Sequence, residues 1–249
     1  MTSTAEARKT GVDPSAKPTG LRRGVLAINA AVAWAAVGLS LTLILTGYYL
    51  REPNAGSVTL LGNVASGEDT ALERFWDWTT YFTILSNTTA AIVLTALLLR
   101  PAWFTGADRS GLIWRALRVD SVMMLVVTAV VFNLLLATGG KTGWDAISNA
   151  LLHIINPTVT ALAWLIVGPR GLIRWSTIWA ALVLPLTWAA YALIRGDSIH
   201  AYPYPFFDVA TNGLPSVVAF VAIIAVFGVA VAATMLGIDA LMRRVLPAR

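Results

Sequence analysis

The feature that most constrains this chain is a set of six long segments without a single charged residue. They cover positions 24–50, 78–99, 121–140, 146–169, 175–194 and 209–238. A helix needs about 20 apolar residues to cross the hydrocarbon core of a bilayer, and each segment meets that length. The segments predict six transmembrane helices and exclude a soluble globule.

We therefore predict an all-α polytopic membrane protein, a six-transmembrane-helix bundle in one membrane domain over 21–242. The expected helices are 24–50, 78–99, 118–139, 146–168, 175–194 and 214–239. Residues 1–20 are polar and carry scattered charges, so we expect a disordered tail, and 243–249 should form a short basic tail. The connections are too short for a separate soluble domain, so the function must lie among the helices.

The distribution of charge indicates the orientation of the bundle. Of the 18 Lys and Arg residues, 14 precede the first helix, join helices two to three or four to five, or follow helix six. Eight of the 13 acidic residues lie on the other side. By the positive-inside rule, both termini are cytoplasmic, and we expect a multi-pass protein of the plasma membrane. The net charge of +5 is thus an orientation signal and does not indicate nucleic-acid binding.

Polar side chains form one stripe on each of two predicted helices that run inward from the outer surface. At i, i+3 or i+4 spacing, helix two carries Thr83, Ser86 and Asn87, and helix four carries Asn149, His153 and Asn156. A rise of about 1.5 Å per residue places Thr83, His153 and Asn133 of helix three at a similar depth. We expect these groups to converge in the outer half of the membrane.

Such stripes have two interpretations. Ser, Thr and Asn often only hydrogen-bond neighbouring membrane helices, and that structural role stays open here. An intramembrane His is rarer and is usually paired or functional. Pro157 has no N–H and so frees the carbonyl of His153, which predicts that the helix kinks and opens at that point.

The available side chains narrow the chemistry. The chain has no Cys and two His, and no carboxylate lies at the depth of His153, so we expect no metal and no cofactor. No series of buried carboxylates crosses the bundle, which disfavours an ion pathway. A hydroxyl beside an imidazole remains, the minimal pair for nucleophilic acyl transfer. Thr83 would be the nucleophile and His153 the base, with Asn87 or Asn133 donating to an oxyanion.

The segment 202–208 places two prolines among aromatic residues just before helix six. One interpretation is an ordered loop at the membrane interface. The other is a lid over the site, formed with Tyr202, in which Tyr204 or Asp208 orients His153. The sequence leaves both open.

Three motifs carry a family resemblance: YFTILSN at 81–87, LHIINP at 152–157 and YPYPFFD at 202–208. Together they resemble the signature stretches of the bacterial Pr6Pr family of six-helix membrane proteins, which is similar to the androgen-induced-gene/FAR-17a family of multipass hydrolases. The resemblance implies an intramembrane threonine hydrolase of fatty-acid esters, with Thr83 as nucleophile and His153 as base. Many relatives carry an acidic residue about ten positions after the His, where this chain has Ala163.

The leading hypothesis is an intramembrane hydrolase of a lipid or fatty-acid ester, with membrane lipids and a hydrophobic ester substrate as its partners. The alternatives are a non-catalytic lipid-binding or scaffolding membrane protein and, third, a small-molecule transporter. We expect an apolar cavity below the Thr–His pair, along the inner halves of helices two and four. Leu, Val and Trp side chains should close it below and 202–208 should cap it. Oligomeric state leaves no signal in the sequence.

Overall fold

The computed structural model describes residues 17–48, 70–137 and 141–245. Within these ranges the regular structure is helical and no β-strand forms, which confirms the all-α class there. Six helices are long and apolar enough to cross a membrane, as predicted: α1 (Gly20–Leu45), α2 (Phe82–Leu99), α3 (Arg109–Leu136), α4 (Gly143–Val167), α5 (Trp175–Ile199) and α6 (Leu214–Val245). The chain has the architecture of a multi-pass membrane protein. The tails expected at 1–20 and 243–249 lie outside the described residues for 1–16 and 246–249.

Several helices extend beyond the charge-free segments. α3 begins at Arg109, well before the predicted start at 118, because the Asp108 carboxylate caps it and accepts a hydrogen bond from Gly111 N–H at 3.0 Å. α6 likewise continues past Asp239 to Val245. Arg side chains near a helix end reach the membrane surface along their own apolar stems. The lack of charge therefore underestimates helix length.

The second predicted helix is divided in two. A short helix, Ala71–Thr79, begins at a capping box in which Thr70 Oγ1 accepts from Glu73 N–H at 3.2 Å and the Glu73 carboxylate accepts from Thr70 N–H at 2.8 Å. These bonds from Thr70 lower the pKa of Glu73. α2 itself begins only at Phe82, so Thr83 lies in its first turn.

α3 is the central helix of the bundle. It packs against α2, α4, α6 and the first part of α5, and its residues 119–125 are almost fully buried. α1 packs against α2 and α4. α5 and α6 are the least buried of the six, with 28% and 17% of their most apolar stretches of 18 residues buried, so they form the most open side of the bundle.

The two ends of the bundle differ in charge. The end that contains Arg109, Arg170 and Arg174 is the basic end. The other, the distal end, contains the start of α2, the start of α4 and the segment 202–208. The polar stripes of α2 and α4 lie toward the distal end.

Candidate functional site

The structure brings Thr83 and His153 into hydrogen-bond contact. Thr83 Oγ1 lies 3.2 Å from His153 Nε2, and the two residues are only 8% and 9% exposed. They come from different helices, α2 and α4, that are 70 residues apart in sequence. A hydroxyl and an imidazole at this distance have the geometry of a nucleophile and its base.

The other imidazole nitrogen fixes the tautomer of His153. Its Nδ1 lies 3.1 Å from the carbonyl oxygen of Asn149, and because a carbonyl oxygen only accepts, Nδ1 must carry the hydrogen. In a neutral ring Nε2 is then the acceptor. We assign the Thr83 hydroxyl as donor to Nε2, so the imidazole is ready to take the Thr83 proton.

Two π-helical turns lie next to this contact. One covers Leu151–Ile155 in α4 and ends just before Pro157, whose missing N–H cannot complete an α-helical turn. The other covers Phe132–Leu136 at the end of α3. The Phe132 ring stacks on the His153 imidazole, with centroids 3.6 Å apart and planes at 15°. Single π-helical turns are rare in proteins, and many of those known lie at functional sites.

Tyr204, from the segment 202–208, contacts Thr83 directly. Its hydroxyl accepts a hydrogen bond from Thr83 N–H at 3.3 Å and lies 3.5 Å from Thr83 Oγ1. The ring is held edge to face by Tyr81 and stacked by Phe206. Burial raises the pKa of Tyr204, so at neutral pH the phenol keeps its proton and can donate it in a hydrogen bond.

The rest of the segment 202–208 supports Tyr204 but does not orient His153. Tyr202 is buried against Gly196, where an added Cβ would lie 2.2 Å from its ring. The Asp208 carboxylate caps the short helix Val209–Asn212 and accepts from Ala210 N–H at 3.0 Å and Thr211 N–H at 3.2 Å. The expectation that Asp208 or Tyr204 orients His153 is therefore wrong, because Asn149 does so through its backbone.

Buried amides tie the two sides of the site together. Asn156 Nδ2 donates to Asn87 Oδ1 at 2.7 Å. Asn87 Nδ2 donates in turn to the carbonyl oxygens of Thr83, at 2.8 Å, and Leu152, at 3.2 Å. Both donor hydrogens of Asn87 are thereby used. Asn87 thus positions the two helices at the Thr83–His153 level and does not serve as an oxyanion donor.

Further hydrogen bonds extend this network to the neighbouring helices. Thr160 lies 3.0 Å from Asn29 Oδ1 of α1, and Ser86 Oγ lies 2.9 Å from Thr128 Oγ1 of α3. Such bonds contribute about 0.6–2 kcal/mol each between membrane helices. The structural interpretation of the stripes thus holds for Ser86, Asn87 and Asn156.

Asn133 does not join the site. Its side chain is exposed and donates to the carbonyl oxygen of Ala129, one turn earlier in α3. The expected convergence is wrong for this residue because the π-helical turn directs its neighbour Phe132 toward His153 instead. The predicted contribution of Asn149 comes from its carbonyl, not from its side-chain amide.

A partly open apolar cavity lies beside Thr83. Its walls come from the start of α2, from α3, α5, α6 and from the aromatic residues of the segment 202–208; polar contributions include Thr83, Thr128 and Tyr204. Met123, Met124 and Gly228 line it toward the basic end. Leu186, also a lining residue, is 45% exposed on α5.

The position of this cavity corrects the sequence-based expectation. The inner half of α2 is closed by packing against α1, where Leu94 and Leu97 are 0% and 1% exposed. The space lies instead between α3, α5 and α6, and Met123 and Met124 line it together with the expected Leu, Val and Trp side chains. Among the described residues, no group of three His, Cys, Asp or Glu side chains is placed to hold a metal ion.

Two contacts of the site were missed from the sequence. The Asn149 carbonyl was predictable, because it lies four residues before His153 on the same helix face. Phe132 could not be predicted as a site residue, because the sequence does not distinguish an aromatic side chain that faces the site from one that faces the lipid. No family model, curated protein or solved structure matches this chain, so the geometry carries the functional argument.

Proposed function

We propose that this protein is an intramembrane hydrolase of a lipid or fatty-acid ester, with Thr83 as the nucleophile and His153 as the general base. One observation carries the proposal: Thr83 Oγ1 lies 3.2 Å from the buried Nε2 of His153. The other ring nitrogen, Nδ1, is hydrogen-bonded to the Asn149 carbonyl oxygen. Thr is a weak nucleophile and needs such a base.

The proposed reaction has two stages. Thr83 Oγ1 attacks the ester carbonyl carbon while His153 Nε2 takes the hydroxyl proton, and the tetrahedral intermediate expels the alcohol, which receives that proton. Water, deprotonated by His153, then hydrolyses the acyl-Thr83 ester and restores the hydroxyl. The Tyr204 O–H is the group best placed to donate to the oxyanion, because it lies 3.5 Å from Thr83 Oγ1.

The cavity supports an acyl chain as the substrate's main binding feature. Its lining is almost wholly apolar, and Thr83 lies at its distal end. An ester carbonyl at Thr83 would let the chain extend between α3, α5 and α6 toward Met123 and Met124. α6 packs on α3 and on the first part of α5, so entry from the lipid would run between α6 and the second part of α5.

The proposed setting is the plasma membrane, with both termini in the cytoplasm and the Thr83–His153 pair in the outer half of the bilayer. The excess of Lys and Arg at the basic end supports this orientation. Six apolar helices and a Thr–His contact also support the resemblance to the Pr6Pr and androgen-induced-gene/FAR-17a families. The departure at Ala163 fits a site whose His is held by a carbonyl.

The test is hydrolysis of a fluorogenic long-chain ester by the purified protein. Thr83→Val keeps the side-chain shape and removes the hydroxyl, so turnover should fall at least about 10³-fold, as for loss of a catalytic nucleophile. Thr128→Val is the matched control, because Thr128 also lines the cavity but has no imidazole partner. Equal turnover in the wild type and Thr83→Val would refute the proposal.

A non-catalytic lipid-binding protein is the second candidate. The observation that favours it is the position of His153, which is covered by the Phe132 ring and does not line the cavity. In that case Thr83 and His153 would only join α2 to α4. The wild type would then retain a long-chain ester without cleaving it, and Thr83→Val would lower thermal stability alone.

A further inference from the structure

Three arginine side chains from separate segments converge at the basic end. Arg22 lies in the first turn of α1, Arg118 in α3, and Arg170 between α4 and α5. Arg118 Nη2 donates to the carbonyl oxygen of Gly168 at 3.3 Å. Arg170 folds back on the same glycine, with its Nε 3.7 Å from the position of an added Cβ. The charges of Arg22 and Arg170 both act on Arg118.

This cluster has hydrogen-bond donors without acceptors. Four of its buried nitrogens have no partner: Nε and Nη2 of Arg22, Nε of Arg118 and Nη1 of Arg170. Arg118 is the most deeply buried of the three, at 2% exposure. Its other nitrogens reach only Ser121 Oγ and the Gly168 carbonyl. Arg170 donates to the Leu165 carbonyl oxygen and lies over the Trp164 ring, with its Cζ 5.1 Å from the ring centroid. These neutral groups carry no negative charge to neutralise the guanidinium groups.

The nearby acids do not compensate these charges. In the described part of the chain, no acidic side chain lies within 4 Å of a nitrogen of Arg22, Arg118 or Arg170. Asp120, two positions from Arg118, is buried without an ion pair. Asp239 acts on Arg170 at longer range, but its carboxylate accepts from Gly171 N–H at 2.9 Å and pairs with Arg243.

Like charges with unsatisfied N–H groups are costly in a low-dielectric interior. An anion with several oxygens reduces both the repulsion between the arginines and the cost of their unpaired N–H groups. It neutralises the charges and accepts hydrogen bonds from several donors at once. Guanidinium groups match the oxygens of a phosphate in spacing and plane. Arg22 and Arg170 are only partly buried, so an anion can approach from the bundle surface.

We propose that Arg22, Arg118 and Arg170 form a binding site for a phosphate group at the basic end. The phosphate belongs either to a lipid headgroup or to a free phosphate ion. The site is separate from the Thr83–His153 pair, so it stands whether or not the protein hydrolyses esters.

The test measures the thermal unfolding midpoint of the full-length protein in detergent. A short-chain phosphatidylglycerol, its matched diacylglycerol without phosphate, and inorganic phosphate are titrated separately. The midpoint should rise with at least one of the two phosphate ligands and not with diacylglycerol. A rise with inorganic phosphate alone at similar concentrations assigns the site to free phosphate, and a rise with phosphatidylglycerol only assigns it to a lipid headgroup.

Variants connect the effect to the cluster. Arg22→Gln and Arg170→Gln should each raise the half-saturating ligand concentration about tenfold or more, the loss expected for one charge-assisted contact. Arg109→Gln is the control, because Arg109 is exposed at the same end and is not part of the cluster. A wild type insensitive to every phosphate ligand, or variants that respond as Arg109→Gln does, would overturn the proposal.

Discussion

The imidazole of His153 has one nitrogen on the Asn149 carbonyl and the other on Thr83 Oγ1. In this tautomer the ring accepts a proton only at Nε2, and a protonated ring accepts none. In the proposed pair, the direction of the imidazole thus depends on the contact with the Asn149 carbonyl. The buried amide of Asn87 adds a second constraint, because its Nδ2 donates to the carbonyl oxygens of both Thr83 and Leu152 and so links α2 to α4.

Acid should inactivate the proposed enzyme, because protonation of His153 removes the base that activates Thr83. On the acid side, kcat/KM for a long-chain ester should fall about tenfold per pH unit once the imidazole is mainly protonated. The measurement is a pH profile between about pH 4 and 9 on the wild type and His153→Gln. A flat profile that survives His153→Gln would remove His153 from the mechanism.

Tyr204→Phe should lower kcat about tenfold to a hundredfold and leave the fold intact, since the ring packing stays while the hydroxyl near Thr83 is lost. Tyr202→Phe is the matched control from the same segment, because Tyr202 packs against Gly196 and not against Thr83. The measurement is the steady-state kcat of both variants, each compared with that of the wild type. Equal losses in the two would show that the hydroxyl of Tyr204 plays no special part.

At the level of the elements, the π-helical turn of α4 is what directs His153 toward Thr83. The sequence explains this π-helical turn by Pro157, and the same proline predicts that the helix opens at His153. The matching π-helical turn in α3 has no proline. It was not predictable, because it depends on how Phe132 packs against a residue of another helix.

Pro157→Ala restores a backbone N–H and should allow α4 to close into a regular α-helix. Turnover should then fall about tenfold or more, because His153 rotates away from Thr83, while the thermal unfolding midpoint should not decrease. Pro215→Ala is the control, since Pro215 lies in the first turn of α6, where proline costs little stability. Turnover unchanged in Pro157→Ala would indicate that the π-helical turn does not position His153.

Across the whole molecule, hydrocarbon thickness made the number of helices predictable, because a crossing helix needs a fixed apolar length. Their ends were less predictable, since residues such as Arg109 extend a helix into the membrane surface. That Thr83 and His153 lie at the same level of the bundle followed from helical rise and is confirmed by their contact. The position of the cavity could not be predicted, because it depends on how α5 and α6 pack around α3. That packing leaves no pattern in the sequence of any single helix.

The same packing predicts a residue that sets acyl-chain length. A Cβ at Gly228 would lie 3.6 Å from Met123 Sδ, so a small side chain fits there and a large one fills the end of the cavity. Gly228→Leu should shift the preferred ester to shorter chains, measured as kcat/KM across a chain-length series. Gly237→Leu is the control, because no neighbouring atom lies within 4 Å of its added Cβ. An unchanged preference in Gly228→Leu would place the acyl chain elsewhere.

The central claim is that Thr83 acts as a nucleophile. The most direct measurement is labelling of the purified protein with a lipophilic fluorophosphonate, followed by mass spectrometry of its peptides. We expect the adduct on Thr83 in the wild type and its loss in both Thr83→Val and His153→Gln, with Thr128→Val labelled normally. A folded wild type that is not labelled, or an adduct that persists in Thr83→Val, would contradict the account.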